Sequence, residues 1–101
     1  MGQRLQLHNI FEGILGSTNV YFQPPANISM KYPCIVYERD NADTIFAGNK
    51  PYRYTKRYQV TVIDRDPESP VPEKVAALPM CTFSRFFTAD NLNHDVFIIY
   101  F

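Results

Sequence analysis

The side chains best suited to chemistry are few: His8 and His94, Cys34 and Cys81, and the carboxylates Asp64 and Asp66. His94 precedes Asp95 and follows Asp90, a grouping compatible with a metal site or an acid–base pair. The same stretch, Asp90-Asn91-Leu92-Asn93-His94, also has the composition of a turn joining two strands, and that reading is preferred. A calcium loop is not formed, because Leu92 takes the third position and no glycine follows. Asp64 and Asp66 lie two apart, so on a strand they would point the same way and could share a metal. Asp66-Pro67 is equally a turn opener, and acids before a helix are favoured by its N-terminal field. His8 adjoins Leu7 on an amphipathic segment and is expected to be solvated. The cysteines each sit in an apolar run outside any CxxC pair, which reads as buried free thiols in a reducing compartment. No GxSxG, P-loop, HExxH or dinucleotide fingerprint occurs. The chain is therefore expected not to be an enzyme, with no catalytic residue, cofactor or metal assigned.

A second grouping mixes cations with aromatics: Arg53, Lys56, Arg57 and Arg65 beside Tyr52, Tyr54 and Tyr58. Such a set can bind single-stranded nucleic acid by stacking. It can also form the polar rim of an aromatic protein interface. Ten basic and ten acidic residues give a formal net charge of zero. That weighs against a general nucleic-acid binder, whose affinity comes mainly from neutralising phosphates. Glu38, Asp40 and Asp43 precede the cations and would partly cancel them if the two strands pair. The protein interface is preferred, with Asp43, Phe46, Tyr52, Arg53, Tyr54 and Arg57 as its candidate residues. A nucleic-acid module built on the strand around 52–58 is the alternative.

These residues need elements to hold them. With 101 residues, 46% of them hydrophobic and 15% aromatic, the chain suits one ordered domain spanning 1–101. A domain this small gains from oligomerisation. Leu7, Ile10, Phe11, Ile14 and Leu15 make one helical face, and Gly16 stops it, so the spacing predicts a helix over 4–15. Val20-Tyr21-Phe22 reads as a short strand, broken by Gln23-Pro24-Pro25-Ala26-Asn27. Cys34 to Tyr37 is a strand opened by Pro33. Asp40-Asn41-Ala42-Asp43 and Gly48-Asn49-Lys50-Pro51 read as turns around a short Thr44-Ile45-Phe46 strand. Over 52–64, Tyr54, Tyr58, Val60 and Val62 share one face, and the more polar first half is expected to project beyond the main sheet. Ser69 and Pro70 open a second helix, with Val71, Val75 and Leu78 on one face and Pro79 ending it. Two more strands, 81–87 and 96–101, close the chain. The expected fold is α+β: an antiparallel sheet with two helices packed on one face. No apolar run is long enough to span a membrane, and the start has neither a signal-peptide core nor a myristoylation pattern.

The run Tyr32-Pro33-Cys34-Ile35-Val36-Tyr37-Glu38 resembles the tail terminator (tail completion) proteins of long-tailed phages and prophages. So does Arg57-Tyr58-Gln59-Val60-Thr61-Val62-Ile63-Asp64-Arg65-Asp66-Pro67. The N-terminal Asn19-Val20-Tyr21-Phe22-Gln23-Pro24-Pro25 and the closing Phe83 to Phe101 are similar too, so the likeness covers most of the chain. The resemblance implies a six-fold ring on the tail tube that ends its polymerisation and faces the head connector. Its partners would be other copies of the chain, the tail tube protein and a neck protein, with the genome passing through the ring's lumen. Its place would be the virion's tail–neck region, after assembly in the host cytoplasm. The resemblance transfers no functional residue.

Overall fold

The computed structural model describes residues 3–24, 29–47 and 50–101, and the side chains of residues 3, 41–47 and 50–55 lie outside that description. Gly48 and Asn49 of the turn read at 48–51, and Pro25, Ala26 and Asn27 of the break read at 23–27, fall outside the described residues.

The first helix, α1, runs Gln3–Leu15. Leu7 and Phe11, one turn apart, are fully buried, and Ile14 and Leu15 pack beside them. Gly16 ends the helix with φ 78°, a left-handed conformation that costs glycine little, and its N–H donates to Glu12 C=O at 2.9 Å. Strand β1 (Val20–Phe22) leads to β2 (Cys34–Ala47), which pairs with β3 (Lys50–Asp64). Helix α2 spans Val71–Ala76, one residue later than Pro70, and the Ser69 hydroxyl accepts the Val71 N–H at 3.3 Å. Strands β4 (Cys81–Ala89) and β5 (Leu92–Tyr100) complete the chain.

The five strands form one sheet in the order β1-β2-β3-β5-β4. The α+β class expected from the order of elements is the one observed. The sheet is mixed rather than wholly antiparallel, because β1 runs parallel to β2, with Val20 opposite Ile35 and Phe22 opposite Tyr37. Parallel neighbours need a return connection, here the stretch between Phe22 and Cys34, and nothing local in a three-residue strand announces it.

Both helices pack on one face. Leu7, Phe11, Val71 and Val75 meet Ile35 and Tyr37 of β2, Tyr58, Val60 and Val62 of β3, and Phe97 and Ile99 of β5. Tyr37 is the hub, with Phe22, Phe11 and Tyr58 rings at 5.0, 5.2 and 6.1 Å. The opposite face carries a smaller cluster of Cys34, Ile63 and Leu92, packed by Tyr21, Tyr32 and Val36.

Three turn readings give way to strand, in whole or in part. Asp40-Asn41-Ala42-Asp43 lies inside β2, which continues through a register shift between Arg39 and Asn41. Asp40 is the extra residue of a bulge, a role that tolerates the same polar types as a turn. Likewise Leu92-Asn93-His94 belongs to β5, and only Asp90 and Asn91 form the turn. Of the third, Lys50 and Pro51 belong to β3, with Pro51 opposite Phe46.

Candidate subunit interface

Strands β2 and β3 are the longest, with 14 and 15 residues, and they outrun their neighbours. β1 covers β2 only at Ile35–Tyr37, and β5 covers β3 only at Arg57–Asp64. Beyond those limits the hairpin continues as a two-stranded ribbon, with Thr44 opposite Tyr54 and Ile45 opposite Arg53. The molecule is correspondingly elongated, 51 × 24 × 24 Å. Asp43, Phe46, Tyr52, Arg53 and Tyr54 all fall on this ribbon, and their side chains lie outside the described residues. The sequence-based expectation of a projecting first half of β3 agrees with this backbone.

Arg57 stands at the ribbon's base. Its Nε donates to Asp40 Oδ1 at 2.9 Å and its Nη2 to Oδ2 at 3.4 Å. The hydrogen bond donated to Asp40, and after it one with Tyr100, pushes the guanidinium pKa up. The bulge that turns Asp40 toward Arg57 therefore makes an internal clamp where the ribbon leaves the sheet.

A second surface went unmarked in the sequence reading. β4 is an edge strand, and every residue from Thr82 to Ala89 is exposed. Phe83 and Phe86 are each 53% exposed, Phe87 39%, and Met80, just before the strand, 57%. Phe83 lies opposite Phe97, and its ring meets that of Phe97 edge-on at 5.6 Å. A register shift between Phe83 and Arg85 then places Phe86 opposite Asp95, on the same face as Phe83. Phe87, opposite His94, lies on the other face. The Phe-x-x-Phe-Phe spacing was the available signal: it breaks the period of two that a regular strand needs. Met80 holds a left-handed φ of 60°, uncommon for a long side chain, and its C=O accepts the Tyr100 N–H at 3.1 Å. It also borders an apolar hollow of about 340 Å³ between Leu7 and Ile10 of α1, the Leu78–Met80 corner and Ile99–Phe101.

The residues weighed for chemistry make local hydrogen bonds and packing contacts. Asp64 Oδ1 accepts the Asp66 N–H at 3.0 Å, and Asp66 Oδ1 accepts the Glu68 N–H at 2.9 Å, successive turns leading into α2. His94 Nδ1 lies 3.1 Å from Leu92 C=O, and its ring stacks on Phe87 at 4.5 Å. Asp95 is partly buried, which pushes its carboxyl pKa up. Among the described residues, no three His, Cys, Asp or Glu side chains are grouped to hold a metal. Cys34 is buried, Cys81 is half-buried, and both are free. Among the described residues, no helix is long and apolar enough to cross a membrane.

His8 departs from expectation. Its Nδ1 is 2.8 Å from Tyr37 Oη, and its Nε2 is 3.4 Å from Glu12 Oε2. Arg4 Nη1 donates to the same Tyr37 oxygen at 3.2 Å while its guanidinium lies 4.4 Å from the Phe22 ring centroid. Tyr37 Oη thus accepts from Arg4 and donates to His8 Nδ1, leaving Nε2–H for Glu12. The helical spacing of Arg4, His8 and Glu12 was legible. Their convergence on a β2 tyrosine was not, because that depends on where α1 lands.

No protein-family model, curated protein or solved structure matches the chain.

Proposed function

We propose that this chain is a structural subunit that assembles into a closed ring capping a phage tail tube, a tail terminator. The observation that carries this reading is the ribbon: β2 and β3 extend past both neighbouring strands on a domain otherwise 24 Å across. A two-stranded ribbon alone is marginal in water, so one that reaches away from its own core suits contact with a partner. A projection at one end and an open edge elsewhere are different surfaces, which is the requirement for head-to-tail ring closure. Zero net charge and abundant Tyr and Phe favour protein contact over phosphate binding. The nucleic-acid reading loses one of its cations, since Arg57 is neutralised by Asp40.

The test combines Tyr54→Ala with Arg57→Ala. The isolated subunit is expected to keep its melting temperature within a few degrees, because the ribbon lies outside the core. Capping of purified tail tubes, scored by tube length in negative-stain images, is expected to fall, with each truncation costing about 2 kcal/mol of binding. Normal length control by the double variant would remove the ribbon from the interface. Assembled tails that carry only isolated copies of the chain would end the ring proposal.

A further inference from the structure

Edge strands in folded proteins are usually blunted by charge, proline, shortness or cover. β4 has few of these protections. It is nine residues long, contains no proline, and carries Arg85 as its sole charge. Its guards are that single charge and the bulge at Ser84-Arg85.

The backbone orientation along this edge can be derived. Tyr100 donates to Met80 C=O, so that pair faces inward. Alternation of an antiparallel ladder then turns the N–H and C=O of Cys81 and Phe83 outward. At the other end, Ala89 and Leu92 flank the two-residue turn Asp90-Asn91, whose φ values of 54° and 62° are those of a tight hairpin, so they are a hydrogen-bonded pair. Counting back from them, Phe86 and Thr88 also present both backbone groups outward. β4 thus offers an open row of donors and acceptors flanked by Phe83 and Phe86 on one face and Phe87 on the other. An extended strand satisfies such a row; a helix or a small molecule does not.

Among the described residues, the same chain holds a matching strand edge beyond the reach of its neighbour. Phe101 N–H donates to Lys56 C=O at 3.0 Å, so the backbone of Lys56 faces the β5 side of the sheet. By alternation the backbone of Tyr54 faces that side as well, beyond the reach of β5. We infer that β4 of one subunit pairs, strand to strand, with the outer half of β3 in the ribbon of a second copy, extending one sheet into the next. This deepens the ring reading and rests on it. It assigns the ribbon a receiving surface, and it explains in one contact why a marginal two-stranded ribbon and an exposed aromatic edge occur in one small chain. Because the two surfaces differ, each subunit gives one and receives one, and the contact propagates around a ring.

The test uses three variants of the full chain, and a mixture of Thr88→Pro with Tyr54→Pro, followed by sedimentation. Thr88→Pro removes an outward N–H from β4, and Tyr54→Pro removes one from the ribbon. Phe86→Lys, a change to an exposed side chain, accompanies Thr88→Pro in case proline disturbs the hairpin. Melting curves identify the folded variants. The unmodified chain is expected to self-associate, and each variant to do so about tenfold or more weakly. The mixture is expected to stop at a pair, since one intact edge and one intact ribbon remain. Self-association of Thr88→Pro and Phe86→Lys at the unmodified level overturns the inference. So does an unmodified chain that stays monomeric at its highest soluble concentration. Association that survives Tyr54→Pro but not Phe86→Lys means β4 pairs with another β4, and the ribbon assignment falls. If the mixing pattern holds but no variant alters tail length, the pairing stands and the tail role fails.

Discussion

β4 and β5 are two halves of one hairpin, nine residues each, and their surroundings are opposite. β5 has strands on both sides and the helices above one face, where Phe97 and Ile99 are almost wholly buried; Val96, on the other face, is buried as well. β4 has one neighbour, and three phenylalanines along it stand in solvent. Apolar content does not separate the two. Position in the sheet does, and the excess apolar surface on the outer strand is the kind that marks an interaction site on a protein this small.

The sharpest way to break the comparison is to truncate the two rings that touch across it. Phe97→Ala is expected to cost ~3–5 kcal/mol, the usual loss for a buried aromatic. Phe83→Ala, in contact with the same ring but half in water, is expected to cost about 1 kcal/mol. Chemical denaturation of both variants at low protein concentration reads the difference. Equal losses would mean that β4 is as well covered as β5 within the single chain.

A smaller effect tests how the covered side tolerates polar groups. Tyr37 is fully buried, yet its hydroxyl is satisfied by Arg4 and His8. Tyr37→Phe keeps the aromatic packing with Phe11 and Phe22 and strands both partners, an expected loss of about 1–2 kcal/mol. If stability rises instead, the network is dispensable and α1 is held by Leu7 and Phe11 alone.

The effect that is smallest at neutral pH concerns the thiols. Burial, and secondarily Asp64, pushes the Cys34 thiol pKa up from 9.0 to about 12. Between those values the unfolded chain releases a proton that the folded chain keeps. The contribution is therefore intact below pH 9 and is lost as pH rises toward 12. Cys34→Ala is expected to flatten the alkaline fall in stability. In the unmodified protein Cys81, at the start of the exposed strand, should react with a thiol reagent before Cys34. The reverse order of labelling would place Cys34 nearer solvent than the fold allows.

Ribbon and core also differed in how plainly the sequence announced them. Val60 and Val62 alternate with polar residues, so their burial was readable from period alone, whereas Asp40 and Asn41 carry turn chemistry that the structure uses as a bulge inside a long strand. Composition places the candidate residues on a projecting segment, and the backbone puts Asp43, Phe46, Tyr52, Arg53 and Tyr54 there, with Arg57 at its base. The exposure of the aromatic edge at Phe83, Phe86 and Phe87 is not written in its own segment, because a strand's sequence says nothing about its neighbours.

Local rules were enough for α1, for its end at Gly16, and for the Ser69-Pro70 start of α2 to within a residue. Each depends on contacts a few residues apart, so propensity and period carry the information. Tertiary structure alone decided that β1 runs parallel to β2, that β5 lies between β3 and β4, and that Arg4 and His8 meet Tyr37. Those outcomes join residues more than a dozen positions apart. They are selected by which arrangement buries the most apolar surface with every backbone group paired, a sum over the whole chain that no single segment contains.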